Sequence, residues 1–295
     1  MAFTITIVEI DPVNILSPYW LNNSCSPFLE SNTSSTCALG NLASYALNIS
    51  SASDVITGLK FARERNFRLT IKNTGHDFLG RSTGAGSLVL WMHNLNDINI
   101  LNYSSALYTG PAVHIGAGVQ YTDFYPLTQN HGYKAVGGSC SGFGIAGGFT
   151  QGGGYGPLMG TCGVAADQVL EWEVVTATGQ HLIISPTHHA DLYWVLSGSG
   201  GGNFAVVLSV KVRVYNDGPV AGAAFSFKNG NTTAYWTAVG ACFLLNFALL
   251  PDVTTTAIID TALKPFFKKL EDLNISLEKS YITEVHVNFA ESYDF

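Results

Sequence analysis

Between residues 52 and 66 apolar side chains recur at helical spacing after a Ser/Asp start, and Phe67-Arg68-Leu69-Thr70-Ile71 then alternates as a strand does. This predicts an αβ unit ending at the turn Asn73-Thr74-Gly75-His76-Asp77. Further strands are expected at 87–92 and 112–119, with a helix from Tyr121 to His131. Between 137 and 156 glycine is so frequent that no long regular element is expected, because each glycine adds backbone freedom that folding must remove. Beyond it, 169–176 reads as a strand, Ala177-Thr178-Gly179 as a turn and 181–184 as the hairpin return. A short helix at 191–196 leads through Gly198 to Phe204 into a strand at 206–214.

The pattern then changes. Asp217-Gly218-Pro219 forms a joint, which places a domain boundary near 217, followed by a strand at 222–228, an amphipathic helix from Thr233 to Leu250 and a strand-like run at 283–289. The apolar run Ala238–Leu250 is interrupted by Gly240 and Asn246 and falls short of the ~20 residues of a spanning helix, so it reads as a core helix and no membrane partner is expected. Regular repeats are absent.

Composition narrows the function classes. With 47% hydrophobic and 12% charged residues, 295 residues can bury a large core. The net charge is -7 and the 14 basic residues are scattered, so no footprint for a phosphate backbone exists and nucleic acid is not an expected partner. Residues 1–20 contain Glu9 and Asp11 and show no secretory leader. Sequons at Asn22, Asn32, Asn48, Asn102, Asn231 and Asn274 nevertheless point to the secretory pathway. Cys25 and Cys37 bracket a polar loop that suits a local disulfide, the alternative being two free thiols in an ordinary Ser/Asn/Thr-rich loop. Five cysteines leave at least one unpaired, and Cys140 is the candidate.

Two glycine-bordered turns carry the chemistry. Taken alone, His76 reads as a structural turn histidine and Cys140 as a small buried hydrophobe. Their setting suggests more. A flavin can be held by an imidazole nitrogen at the ring methyl and by a thiolate at the neighbouring ring carbon, and both attachments need a rigidly presented nucleophile. Gly75 allows a sharp turn at His76, and the amides of Asn73 to Asp77 can form a nest for a diphosphate in a chain without a basic clamp. The tract from Gly144 to Gly156 is no Rossmann fingerprint, since no G-x-G-x-x-G opens a periodic helix. His188, His189 and Asp191 form the only metal-like cluster and read as a solvated turn, and no G-x-S-x-G elbow supports a hydrolase.

From about Pro18 to Asn216, and most strongly in 71–91, 137–154, 163–175 and 191–207, the chain resembles the fungal berberine-bridge-enzyme-like flavin oxidases of the vanillyl-alcohol-oxidase superfamily, whose flavin domain is called PCMH-type. The resemblance implies an α+β fold: an N-terminal extension over 1–36, a PCMH-type FAD-binding domain of two α/β subdomains over 37–216, and an incomplete sheet-and-helix substrate domain over 217–295. It implies FAD as cofactor, linked through His76, with Cys140 as a second link. Asn73, Thr74, Gly75 and Asp77 would hold the diphosphate, and Gly138, Ser139, Gly144, Gly147 and Gly148 would line the flavin. Asp167, Gln168 and Val169 would pack beside the ring and ribityl chain, with Gly201, Gly202, Asn203, Phe204 and Val207 on the opposite side. The chain departs from the family in carrying Phe78 where tyrosine is usual, in its shorter C-terminal part and in its start.

The function so implied is removal of a hydride from a small-molecule alcohol, sugar or secondary metabolite, with dioxygen as reoxidant. No catalytic base is assignable, and the relative at full length would be secreted. The alternative is a truncated flavin-binding remnant without turnover. A carbohydrate-binding module is a third reading, suggested only by Tyr155 and Trp236.

Overall fold

The computed structural model describes residues 10–21, 39–245, 256–278 and 282–286. The chain divides into two compact units, residues 1–128 with 135–215, and residues 129–134 with 216–295.

In the first unit β1 (Tyr45–Asn48), β2 (Arg68–Lys72) and β3 (Ser87–Trp91) make a parallel sheet in the order β1-β3-β2, and α1 (Ala52–Arg65) connects β1 to β2. The ends of α1 are set locally. Ser51 accepts the Asp54 amide, the Asp54 carboxylate returns to Ser50, and Asn66 at φ 54° closes the last turn on the Ala62 carbonyl. An N-cap of this kind contributes about 1 kcal/mol. At Gly58 the helix lies flush on the sheet, because a Cβ there would sit 2.7 Å from the Leu90 side chain.

The second sheet is antiparallel, with β4 (Ile98–Ser104), β5 (Thr109–Gly116), β6 (Val169–Thr176), β7 (His181–Ile184) and β8 (Ala205–Arg213) in the order β4-β5-β8-β6-β7. Helices α2 (Tyr121–Asn130) and α3 (Ala190–Leu196) flank its connections. One apolar core joins the layers: Ile49, Val55, Leu90 and Met92 pack with Ala117, Val175, Val206 and Leu208. Burial of each large apolar side chain there contributes about 1.5–3 kcal/mol.

The mixed helix and sheet content agrees with the α+β expectation, and two details differ from the pattern reading. β1 and β4 lacked a clear period of their own. The strand expected over 112–119 starts at Thr109 and ends at Gly116, because residues 117–119 turn away against the 92–95 segment. A Cβ at Gly118 would lie 2.0 Å from the His93 carbonyl oxygen. As expected, the tract from 137 to 156 holds no long regular element, only a π-helical turn at Ile145–Phe149.

In the second unit β9 (Val220–Ala224) pairs antiparallel with β10 (Ile282–His286), beside α4 (Thr232–Leu245) and α5 (Thr256–Asp272). Ala238, Phe266 and Leu270 form its buried cluster. The helix expected from Thr233 to Leu250 is described as far as Leu245, and its apolar residues surround the axis instead of forming one stripe. Residues 246–250 and 287–289 of the expected elements, Cys25 with Cys37, and the sequons at Asn22 and Asn32 lie outside the described residues. Among the described residues no helix is long and apolar enough to cross a membrane.

Candidate functional site

A cavity of about 610 Å³ in the first unit is lined from α1, both sheets and the loops that leave them. Its lining falls into three groups. Leu59, Leu69, Met92 and Val206 give an apolar patch continuous with the core. Asn73, Thr74, Gly75, Gly144, Gly147, Gly148, Gly201 and Gly202 give a wall made largely of backbone. His76, Phe78, Phe143 and Phe149 give an aromatic patch. Asp77, Asn203, Phe204 and Val207 also line the cavity.

The histidyl turn leaves the end of β2. Gly75 adopts φ +86°, a conformation that favours glycine. The turn is braced from behind by residues 14–16: the Leu16 amide donates to the Gly75 carbonyl at 2.9 Å, and a Cβ at Gly75 would stand 3.0 Å from the Asn14 carbonyl oxygen. The half-buried imidazole of His76 meets the Phe143 ring edge-on, with centroids 4.5 Å apart and planes at 88°. One residue further on, the Asp77 carboxylate accepts the Arg81 amide, Nε and Nη2 at 2.8, 3.1 and 2.7 Å. Burial pushes the Asp77 carboxyl up, but the hydrogen bonds and charge of Arg81 outweigh it and hold the group below the usual carboxylate range. Phe78 is 78% exposed.

The glycine wall is a seam between two loops. A Cβ at Gly201 would lie 2.6 Å from the Gly148 Cα, so the backbones touch there. Gln151, buried, ties them together: its Nε2 donates to the Ala146 carbonyl, its Oε1 accepts the Gly202 amide at 3.3 Å, and its carbonyl accepts the Gly198 and Gly200 amides at 3.0 and 2.9 Å. Asn73 enters the seam from the histidyl turn. Its Nδ2 donates to the Ala117 carbonyl, while its buried Oδ1 has no hydrogen-bond partner. A Cβ at Gly144 would come within 1.4 Å of that oxygen.

The cysteine segment is placed differently. Gly138, Ser139 and Cys140 are not among the residues that line the cavity, and the rings of Phe143 and Phe149 lie against Gly138, where a Cβ would meet them at 3.2 and 3.1 Å. Cys140 is a half-buried free thiol. Helix α2 and the residue before it hold this segment: Thr122 N donates to the Ser141 carbonyl, the Gln120 side-chain Nε2 to the Gly142 carbonyl and the Tyr125 hydroxyl to the Gly138 carbonyl at 2.8 Å.

Asp167, Gln168 and Val169 also lie outside the lining and serve the framework. The Asp167 carboxylate accepts the Val164 amide. Gln168 donates to the carbonyls of Cys162 and Val164 and accepts from Arg213 and Tyr215, which uses both ends of its amide. The Val169 carbonyl accepts the Tyr193 hydroxyl at 2.7 Å. Phe143, Phe149, Gln151 and Arg81 were missed by the sequence reading; the single available signal was their closeness to glycines of the two turns. Among the described residues no group of three or more His, Cys, Asp or Glu could hold a metal ion.

These features fit an extended dinucleotide. The volume lies within the usual range of cofactor sites. At Gly148 a side chain would project into open space, and an unpartnered buried acceptor at Asn73 awaits a donor. Comparison with known proteins agrees. A family model described as an FAD binding domain matches residues 43–185. The VAO-type flavoprotein oxidase VAO615 of Thermothelomyces thermophilus is 50% identical over 252 residues, which cover 84% of this chain and 43% of that protein. The FAD-linked oxidoreductase sthB of Phaeosphaeria nodorum is 42% identical over 286 residues, covering 88% of this chain and 90% of that protein. Among solved structures, the VAO-type flavoprotein MtVAO615 from Myceliophthora thermophila C1 matches with a TM-score of 0.91 at 40% identity, over 98% of this chain and 56% of that one. The chain belongs to the family of VAO-type FAD-linked oxidoreductases. It spans about half the length of most curated relatives it matches.

Proposed function

We propose that the chain binds FAD in this cavity, with His76 as covalent anchor, and contributes the flavin half of an oxidase that acts on a small-molecule alcohol, sugar or secondary metabolite. The observation that carries the reading is the meeting of His76 with the glycine seam on one cavity of cofactor size. FAD, when bound, supplies a two-electron acceptor for hydride removal and passes the electrons to dioxygen as hydrogen peroxide. The residues of this chain bind and orient. Gly147, Gly148 and Gly201 let backbone approach the diphosphate closely, Asn73 offers its free acceptor, and Leu59, Leu69 and Met92 exclude water from the apolar patch. Cys140, a half-buried free thiol three residues before Phe143, is proposed as a second anchor. Exposed sequon residues Asn102, Asn231 and Asn274 support a glycosylated protein of the secretory pathway, which a mass shift on endoglycosidase treatment checks.

The test is to express the chain, precipitate it with acid, and measure flavin absorbance in the pellet and peroxide formation with a panel of alcohols, sugars and alkaloids. Pellet-bound flavin that disappears in His76→Ala, together with peroxide, supports the whole reading. Flavin without peroxide selects the remnant without turnover. A colourless protein that cannot be reconstituted with FAD overturns both.

A further inference from the structure

We infer that Phe143 is a positioning residue for His76, setting the plane of the imidazole at the cavity wall, and that helix α2 in turn holds Phe143 in place. The inference deepens the flavin reading and rests on it for its chemical meaning.

The contact itself is specific. An edge-on ring pair at 4.5 Å and 88° places a partly positive ring edge against an electron-rich face, an arrangement that resists rotation of either ring.

Phe143 is itself fixed at both ends of its backbone. Its amide donates to the Cys140 carbonyl and its carbonyl accepts the Tyr121 amide, each at 3.3 Å. Behind its ring stands Phe149 at 5.9 Å, then Tyr121 at 5.5 Å from Phe149, then Tyr125 stacked on Tyr121 at 4.9 Å. Glycine makes this row possible, since a Cβ at Gly137 would fall 2.2 Å from a Tyr121 ring carbon. The Tyr121 hydroxyl is fully buried without a hydrogen-bond partner, and burial pushes its ionisation well above the usual tyrosine range. Tyr121 therefore serves as a packed ring. The row runs from a helix, through the loop that carries Cys140, to the histidine, so its action on His76 is mechanical.

Ring plane matters for attachment because the nitrogen lone pair lies in the plane of the imidazole. In the overall change a C–N bond forms, one hydrogen leaves the flavin methyl and one leaves the imidazole N–H. Dioxygen takes both, with two electrons, as hydrogen peroxide. A lone pair turned away by one rotamer step is a misplacement of the size that costs about 10²-fold in rate.

The experiment uses the whole chain as apoprotein, with ¹⁵N/¹³C-histidine and the His76 ring signals assigned through His76→Asn. Wild type is expected to show a nuclear Overhauser effect between the rings of His76 and Phe143, and ring-current-shifted His76 protons. Phe143→Leu is expected to abolish the shift and Phe143→Tyr to keep it. After addition of FAD, Phe143→Leu should build up acid-stable flavin at least about tenfold more slowly per FAD bound, and Phe143→Tyr should restore the rate. Unchanged His76 signals in Phe143→Leu overturn the inference, as does wild-type attachment in that variant despite moved signals. If Phe143→Leu does not fold, the wild-type Overhauser contact and the Phe143→Tyr rates decide, and absence of the contact overturns it. Failure of FAD to bind wild type sinks the flavin reading instead, and the ring signals then decide positioning alone.

Discussion

The histidyl turn and the cysteine segment are both short, glycine-bordered and built around one nucleophile, yet they present it in opposite ways. His76 stands on the cavity wall at the end of a parallel strand, braced by residues 14–16. Cys140 is not among the residues lining the cavity, and its segment is pinned by α2. A strand end delivers a side chain into the space its sheet opens onto. A loop clamped on a helix keeps its side chain where the clamp holds it. The same residue pattern in sequence therefore puts one nucleophile on the cavity wall and leaves the other outside its lining.

The comparison can be broken most directly by paired substitutions. His76→Ala should lower acid-stable flavin at least about tenfold and Cys140→Ser less than about twofold, because only the first removes a nucleophile already on the wall. Equal losses, read from the flavin retained in acid pellets, would abolish the distinction. The seam that both turns share comes next. Gly201→Ala drives a methyl into the Gly148 backbone and should cost about 1–3 kcal/mol of stability together with most bound FAD, measured by urea unfolding and flavin absorbance. Gln151→Ala strands the Gly202 amide and the Ala146 carbonyl, and a loss of about 1–2 kcal/mol with an unchanged denaturant slope is expected.

The smallest effect sharpens the histidyl side alone. Asp77 is ionised more readily in the fold than in the unfolded chain, so its contribution is complete above the ordinary carboxylate range and is lost as pH falls through the lowered folded value. With Arg81 largely exposed, solvent screening limits the pair to about 0.5 kcal/mol. Unfolding free energies of wild type and Asp77→Asn should differ by that amount at pH 7 and converge in strong acid.

Much of this architecture was legible in the residues. Helix α1, the turn after β2 and the strand-turn-strand at 169–184 were marked by periodicity and by Ser, Asp or Gly at their ends. The second unit was less so. Helix α5 was not expected, and it carries Pro265 inside it, where Leu263, Phe266 and Leu270 are buried and packing outweighs propensity. Within the site, the glycine wall was visible because close backbone approach excludes every other residue. The ring row was not, because Tyr121, Phe143 and Phe149 meet through packing of α2 on a loop, which no local period encodes. Gln168 shows the converse: a polar residue in a family motif whose amide is wholly engaged in framework bonds.

Among the described residues lining the cavity, Arg81 is the one lysine or arginine, and its guanidinium is already engaged by Asp77. A diphosphate there would be met by neutral peptide dipoles in a chain whose net charge is -7. Raising the salt from about 0.1 to 1 M shortens the screening length from about 10 to 3 Å, which loosens ligands gripped by mobile cations. A nucleotide gripped by oriented amides should ride out that change, and dialysis of FAD-loaded His76→Ala, which lacks the proposed covalent link, against concentrated brine should leave the protein yellow.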